Sequence, residues 1–136
     1  MREIKFRAFD KQKNRMFDVY GLGKDWVTED TLDGVDEGNN CFNAEEFKSR
    51  IEIMQFTGLK DKNGVDIYEG DILQETNVYG DIRGEVLFSS AKFIRSHYYV
   101  DKKNHWLKTH GVFYDLHFYQ LNQEIIGNIY QNPELL

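Results

Sequence analysis

The stretch Phe56-Thr57-Gly58-Leu59-Lys60-Asp61-Lys62-Asn63-Gly64-Val65-Asp66-Ile67-Tyr68-Glu69-Gly70-Asp71-Ile72-Leu73 holds two reversals of chain direction. Asn63-Gly64 supplies a residue pair that tolerates the positive φ of a tight hairpin turn, so residues 51–56, which run on into this stretch, and residues 65–68 are expected to pair as antiparallel strands. Glu69-Gly70-Asp71 then turns the chain into Ile72-Leu73. Strands this short, joined by turns this tight, belong to a small antiparallel β protein.

The pattern extends in both directions. Ile4, Phe6 and Ala8 alternate with Lys5 and Arg7, the period of a half-buried strand, and residues 16–20 are expected to return antiparallel after the polar stretch Asp10-Lys11-Gln12-Lys13-Asn14. Gly21-Leu22-Gly23 then opens a long acidic insertion with little apolar material beyond Trp26, Val27, Leu32 and Val35, expected to hold limited regular structure through residue 42. Asn43 followed three residues later by Glu46 is a helix-start signature, predicting one or two turns through Phe47 and Arg50.

Downstream, Gly80 and Gly84 are expected to bracket a turn before the strand Glu85-Val86-Leu87-Phe88. Ala91 to Ile94 read as a continuation of that strand across a Ser89-Ser90 bend. Tyr98-Tyr99-Val100, the polar turn Asp101-Lys102-Lys103-Asn104 and His105-Trp106-Leu107 form a further hairpin. Residues 112–121 fit either a strand or a helix, and residues 124–130 fit a strand. Asn132-Pro133 is expected to cap one last turn. Many short strands with little helix predict a mainly β protein closed as a small antiparallel barrel, with an N-terminal hairpin, the acidic insertion and one or two short helices. The expected organisation is one domain over 1–136, with the hairpin at 1–20, the insertion with its helix at 21–50 and the barrel core at 51–136.

Composition narrows the function. The chain has 136 residues, a formal charge of -6, 20 aromatics by its counts of Trp, Tyr and Phe, and one Cys, Cys41. A single Cys forms no internal disulfide and suits a reducing compartment. No apolar run reaches the length of a membrane span, and the opening residues lack a signal peptide's apolar stretch. An acidic chain argues against a dedicated phosphate-neutralising protein, yet the charge is unevenly distributed. Residues 1–15 carry a local +4, residues 24–46 a local -7, and residues 92–108 a local +4.

Catalytic motifs fail one after another. Cys41 follows an acidic stretch that disfavours a thiolate. His97, His105, His110 and His117 have no zinc spacing, and no calcium-loop register starts from Asp30, Asp33 or Asp61. Gly21-Leu22-Gly23-Lys24-Asp25-Trp26 has tryptophan where a dinucleotide fingerprint needs its third glycine. Glu69 and Asp71 flank a turn, where carboxylates are common, so they identify no acid/base couple. No enzymatic activity, metal or cofactor is expected.

One constellation stands out: Lys92, Arg95, Tyr98, Tyr99, Lys102, Lys103 and Trp106, with His97, His105 and Lys108 among them. Cations beside aromatic rings suit single-stranded nucleic acid, and the same residue types dominate protein interfaces. Because strand neighbours point to opposite faces, Tyr98 and Tyr99 cannot both join one platform.

Three segments together resemble the YopX family of phage and prophage proteins. These are Arg2-Glu3-Ile4-Lys5-Phe6-Arg7-Ala8-Phe9-Asp10, with Phe9 where the family often has tryptophan; Phe56 to Gly64 followed by Ile67-Tyr68-Glu69-Gly70-Asp71-Ile72; and Ile126-Gly127-Asn128-Ile129-Tyr130-Gln131-Asn132-Pro133-Glu134-Leu135. The resemblance implies an SH3-like small barrel and expression in the bacterial host cytoplasm, and it brings no catalytic residues. The motifs themselves are turn chemistry, which accounts for a fold rather than an activity. The expected role is a non-enzymatic protein-interaction module whose partner is a bacterial or phage protein, a second copy of the chain included. Single-stranded nucleic-acid binding through residues 92–108 is the alternative, and no membrane partner is expected.

Overall fold

Strand β1 (Phe6–Asp10) and strand β2 (Arg15–Leu22) form the expected first hairpin, with Ala8 opposite Phe17 and Asp10 opposite Arg15. The computed structural model describes residues 3–24, 27–29, 41–77, 80–89, 92–100, 106–115 and 122–136. The chain divides into two compact units, one of Ile4–Gln55 and one built mainly from Phe56–Leu136.

In the Ile4–Gln55 unit, β3 (Val27–Glu29) and β4 (Cys41–Phe42) continue the sheet beyond β2, and the start of β5 (Ile51–Lys60) pairs with β1 on the other side. Ala8 faces Ile53 across that ladder and Asp10 faces Ile51. One side of the sheet buries Ala8, Phe17, Val27, Phe42 and Ile51 as a single cluster, with Val19, Phe47 and Ile53 against it. The Phe17 and Phe42 rings stack with centroids 5.5 Å apart. The acidic insertion is therefore more regular at its two ends than its composition indicates. Val27 and Phe42 are apolar residues beside the acidic run, and burying them draws their neighbours into the sheet; residues 30–40 lie outside the described residues.

Helix α1 (Ala44–Arg50) starts where the sequence places it. The Asn43 side chain accepts the N–H groups of Glu45 at 3.0 Å and Glu46 at 3.1 Å, and Glu46 accepts the Asn43 N–H at 3.2 Å, a complete capping box.

In the other unit the latter part of β5 pairs with β6 (Asp66–Tyr68), Phe56 opposite Tyr68 and Lys60 opposite Asp66. Gly64 takes the left-handed conformation at φ 82°, as the hairpin reading requires. Strands β7 (Asp71–Asn77), β8 (Gly80–Ser89), β9 (Lys92–Val100), β10 (Trp106–Asp115) and β11 (Glu124–Asn128) form an antiparallel sheet in the order β10-β9-β8-β7-β11. Ile67, Leu73, Val86 and Phe93 make its core, with Leu59 and Ile125 packed on them.

Four local expectations are revised. Gly84 sits within β8 opposite Leu73 instead of in a turn, because the β7–β8 ladder runs without a break from Ile72 opposite Glu85 to Asn77 opposite Gly80. Residues 92–94 do not continue β8: Phe88 faces Phe93 and Ser89 faces Lys92, so β9 runs antiparallel beside it, and residues 90–91 lie outside the described residues. Residues 112–115 belong to β10, settling that part of the ambiguous segment as strand, and residues 116–121 lie outside the described residues. Pro133–Leu135 does form one 3-10 turn, but the Asn132 side chain makes no capping bond with it and instead accepts the Asn128 N–H at 3.3 Å.

The expected SH3-like closed barrel is also corrected. The protein is mainly β, with antiparallel sheets and one short α-helix, and among the described residues no ladder closes on itself. A physical reason lies at β11. The Ile125 N–H is bonded to the Asp61 carboxylate at 3.1 Å, and the Gln123 carbonyl accepts the Lys62 N–H at 2.8 Å. Backbone groups that a closing strand would need are taken by the 61–62 loop. Among the described residues, no helix is long and apolar enough to cross a membrane.

Candidate functional site

Strands β9 and β10 bring the sequence-predicted residues onto one hairpin. Lys92, Arg95, Tyr98 and Tyr99 lie on β9 and Trp106 begins β10; Lys102 and Lys103 fall outside the described residues. The register sets Trp106 opposite Val100, Leu107 opposite Tyr99 and Lys108 opposite Tyr98, then shifts before Phe113 pairs with Ser96. On the other side of β9, Tyr98 is opposite Arg83 and Tyr99 opposite Ile82. Phe88 and Phe93 meet near the β8–β9 reversal, rings 5.0 Å apart, with Phe88 half exposed.

The second and third motif segments converge elsewhere in the same unit, on buried polar groups. Asp61 is nearly inaccessible, and its carboxylate accepts N–H bonds from Asn63 at 2.8 Å, Val65 at 2.9 Å and Ile125 at 3.1 Å. Burial pushes its pKa up, but these backbone donors outweigh that and hold it below the ordinary carboxylate value. Asp71 accepts the Tyr68 N–H at 2.8 Å and contacts the Asn128 amide at 3.5 Å, and Asn128 accepts the Tyr130 N–H at 3.0 Å. Gly70 ties the turn to both sides: its N–H reaches the Val86 carbonyl at 2.9 Å and its carbonyl accepts the Ile129 N–H at 2.9 Å. Thr57 donates to the Ile67 carbonyl at 2.8 Å and accepts the Leu59 N–H at 3.1 Å. Asp61 and Thr57 are bonded to backbone groups, and Asp71 to the Tyr68 N–H and the Asn128 side chain, an arrangement that fixes the turns.

Gly127 belongs to this cluster through its size. A Cβ there would come within 2.7 Å of Asn132 Oδ1 and 2.8 Å of Leu135 Cδ1. Gly127→Ala is therefore expected to destabilise the protein by about 1–3 kcal/mol. Urea unfolding checks this, and a change under half that size would show that the terminal turn relaxes freely.

The Ile4–Gln55 unit contains a polar cleft of about 450 Å³ lined by Lys11, Gln12, Glu46, Ser49 and Arg50. Arg50, which lines it, is held in an ion pair that no sequence pattern announces. Asp10, fully buried, takes a two-pronged bond from Arg50, Nε to Oδ1 at 2.7 Å and Nη2 to Oδ2 at 2.6 Å. Gln12 and Lys13 donate their N–H groups to Oδ1 as well, at 3.0 and 3.1 Å. The Arg50 guanidinium also lies over the Phe42 ring, 5.1 Å from its centroid. The remaining groups are engaged too: Lys11 pairs with Glu52 at 3.0 Å, and the Ser49 hydroxyl donates to the Glu45 carbonyl at 2.7 Å. The cleft reads as a clamp between the β1–β2 turn and α1.

Two antiparallel β units, motif carboxylates committed to backbone turns and a basic-aromatic hairpin define a mainly β protein whose characteristic residues are architectural. The chain belongs to the YopX family: the family model described as YopX protein matches residues 5–136. It is similar to the crystal structure of protein EF1440 from Enterococcus faecalis, at 28% identity and a TM-score of 0.68, over 100% of this chain and 99% of that one. It is also similar in fold to protein yopX from Bacillus subtilis, at 20% identity and a TM-score of 0.54, over 100% of this chain and 99% of that one. Among curated proteins there is no match.

Proposed function

We propose that the protein is a non-enzymatic protein-interaction module of phage or prophage origin, acting in the bacterial cytoplasm. The observation supporting this reading is the unequal treatment of the two borders of the β10-to-β11 sheet. The β11 border is occupied by Asp61 and Lys62, whereas among the described residues no strand lies beyond β10. The last strand of a sheet is a position at which another chain can add. Affinity purification from a bacterial host, with light scattering on the purified protein, tests the reading. Recovery of a stoichiometric partner is expected; a strict monomer that retains nothing would overturn it.

The hairpin geometry also favours a second reading, single-stranded nucleic-acid binding, because β9 and β10 gather Lys92, Arg95, Tyr98, Tyr99 and Trp106. Titration of labelled single-stranded DNA at low salt decides it. If Trp106 stacks on a base, Trp106→Ala weakens binding by about 1–3 kcal/mol; absence of binding at low salt ends this reading.

A further inference from the structure

We propose that Asn63-Gly64 is a self-modifying site at which asparagine becomes aspartate or isoaspartate, that Asp61 holds the reaction back, and that the product loosens the Asp61 joint to β11. The inference is independent of the interaction-module reading. Asparagine is a thermolabile residue, and its conversion needs only water and hydroxide. The Gly64 backbone nitrogen gives up its proton to hydroxide and bonds to the Asn63 side-chain carbon Cγ; the bond from Cγ to Nδ2 breaks, and Nδ2 leaves as ammonia. The ring formed is a succinimide. Water then opens it on either side. Attack at Cγ restores the original backbone with an aspartate at position 63, and attack at the main-chain carbonyl carbon leaves the chain running through the side chain, as isoaspartate. Nothing is oxidised or reduced: an amide and water become a carboxylate and ammonium.

Three observations carry this. The first is identity: Asn63-Gly64 is the sole asparagine-glycine pair in the chain, and glycine, with no Cβ, leaves its own nitrogen unshielded. The second is access. Residues 62–65 are exposed, and a Cβ built on Gly64 would meet nothing within 4 Å among the described residues beyond its chain neighbours. Hydroxide can therefore reach the N–H, and the new carboxylate can be hydrated where it forms.

The third is restraint. The Gly64 N–H, whose proton must leave, donates to the Asp61 carbonyl at 3.0 Å. On either side, Asn63 and Val65 donate their N–H groups to Asp61 Oδ1 at 2.8 and 2.9 Å, and the Asp61 N–H donates to the Val65 carbonyl at 2.8 Å. One residue thus holds the nucleophile and fixes the backbone around the carbon it must attack. The other oxygen of that carboxylate takes the Ile125 N–H at 3.1 Å, and Lys62 adds an N–H bond to the Gln123 carbonyl at 2.8 Å and an ion pair with Glu124 at 2.8 Å. Release of the reactive pair is therefore coupled to release of β11. The product cannot restore the joint. The Asn63 side chain helps to hold the Asp61 charge, and a carboxylate in its place removes that help and sets like charge beside a buried anion. Isoaspartate also lengthens the backbone by a methylene, so the turn donors no longer fit one acceptor.

The test incubates the full chain at mildly alkaline pH, folded in buffer and unfolded in urea, and follows the chymotryptic peptide of residues 60–68 by mass. Conversion adds a single mass unit there, whereas isomerisation at Asp33-Gly34 changes no mass. The unfolded chain is expected to react about tenfold faster than the folded one, the factor that the net worth of a backbone hydrogen bond sets. Hydroxylamine, which cleaves the succinimide, should cut the unfolded chain into residues 1–63 and 64–136 and spare the folded one. Asp61→Ala in buffer should approach the unfolded rate. Should that variant fold poorly, the wild-type comparison and hydrogen exchange decide: the Ile125 amide should exchange faster in aged protein, and in fresh Asn63→Asp, than in fresh wild type.

A folded wild type that reacts as fast as the unfolded chain would overturn the inference, because Asp61 would then restrain nothing. So would an unfolded chain that gains no mass within residues 60–68, or a folded Asp61→Ala that reacts at the wild-type rate. Modified protein whose Ile125 amide stays as protected as in fresh wild type would break the coupling to β11 and overturn it too.

Discussion

Arg50→Ala is expected to cost about 3–5 kcal/mol of stability, the range for removing one member of a buried ion pair. The magnitude follows from what would be left behind. Asp10 is fully buried and retains only the Gln12 and Lys13 N–H groups once the guanidinium is gone. The same change removes the cation from the face of Phe42, a core residue, so the helix loses two attachments together. Arg50→Lys keeps the charge but not the planar fork, and should recover only part of the loss. Urea unfolding gives the magnitude, and hydrogen exchange should localise the loosening to residues 11–15 and α1.

The pair also sets an acid response. The Arg50 guanidinium lowers the Asp10 pKa to about 2 against the opposing effect of burial, helped by the Lys13 and Gln12 N–H groups. A carboxylate with a depressed pKa stabilises the fold fully above its unfolded value near 4, and the contribution disappears as pH falls from there towards 2. Between those limits the wild type should lose about 2 kcal/mol from this group. Arg50→Ala should flatten that part of the pH profile, and an unchanged acid slope would show that other carboxylates govern it.

Asp61→Ala should cost about 2–4 kcal/mol, because three N–H groups lose a charged acceptor in a site nearly closed to water. Asp61→Asn is expected to be milder, since one oxygen can still serve either the Asn63–Val65 turn or Ile125 but not both. Exchange at the Ile125 amide distinguishes the two contacts. Fast exchange there with a protected Val65 amide would mean that the remaining oxygen stays with the turn. If Asp61→Ala unfolds at the wild-type urea concentration, the carboxylate has no structural role.

The parts of this fold that the sequence made legible are local. Asn63-Gly64 and the Asn43/Glu46 box each act within a few residues and appear where expected, whereas the alternation through Ile4, Phe6 and Ala8 marks the first strand only in part: β1 begins at Phe6, Ile4 is exposed, and Ala8, Phe9 and Asp10 are all buried. The partners Asp10 and Arg50, Asp61 and Ile125, and Asp71 and Asn128 are separated by 40, 64 and 57 positions. No periodicity links residues so far apart; tertiary packing selects them. Sheet closure was illegible for the same reason. A series of short strands says how many ladders can form, but the fate of the last border depends on a distant loop. Ser89-Ser90 misled because serine is a weak turn signal, whereas the antiparallel pairing of β8 with β9 shows in the contact of Phe88 with Phe93. For the candidate residues, the sequence indicates a strand pair, and the backbone puts Lys92, Arg95, Tyr98 and Tyr99 on β9 and Trp106 on β10, while their register required the neighbouring strand β8.

The Asp61–Ile125 contact has a consequence for the stoichiometry of any assembly. A sheet that can be extended from both sides is a monomer unit for a fibre, because each addition exposes a new acceptor. Here a side chain from a turn takes the place of a neighbouring strand at the Ile125 N–H, so that point of the β11 border is closed to another chain. Asp61→Ala, by freeing that N–H, should be the variant that associates on storage.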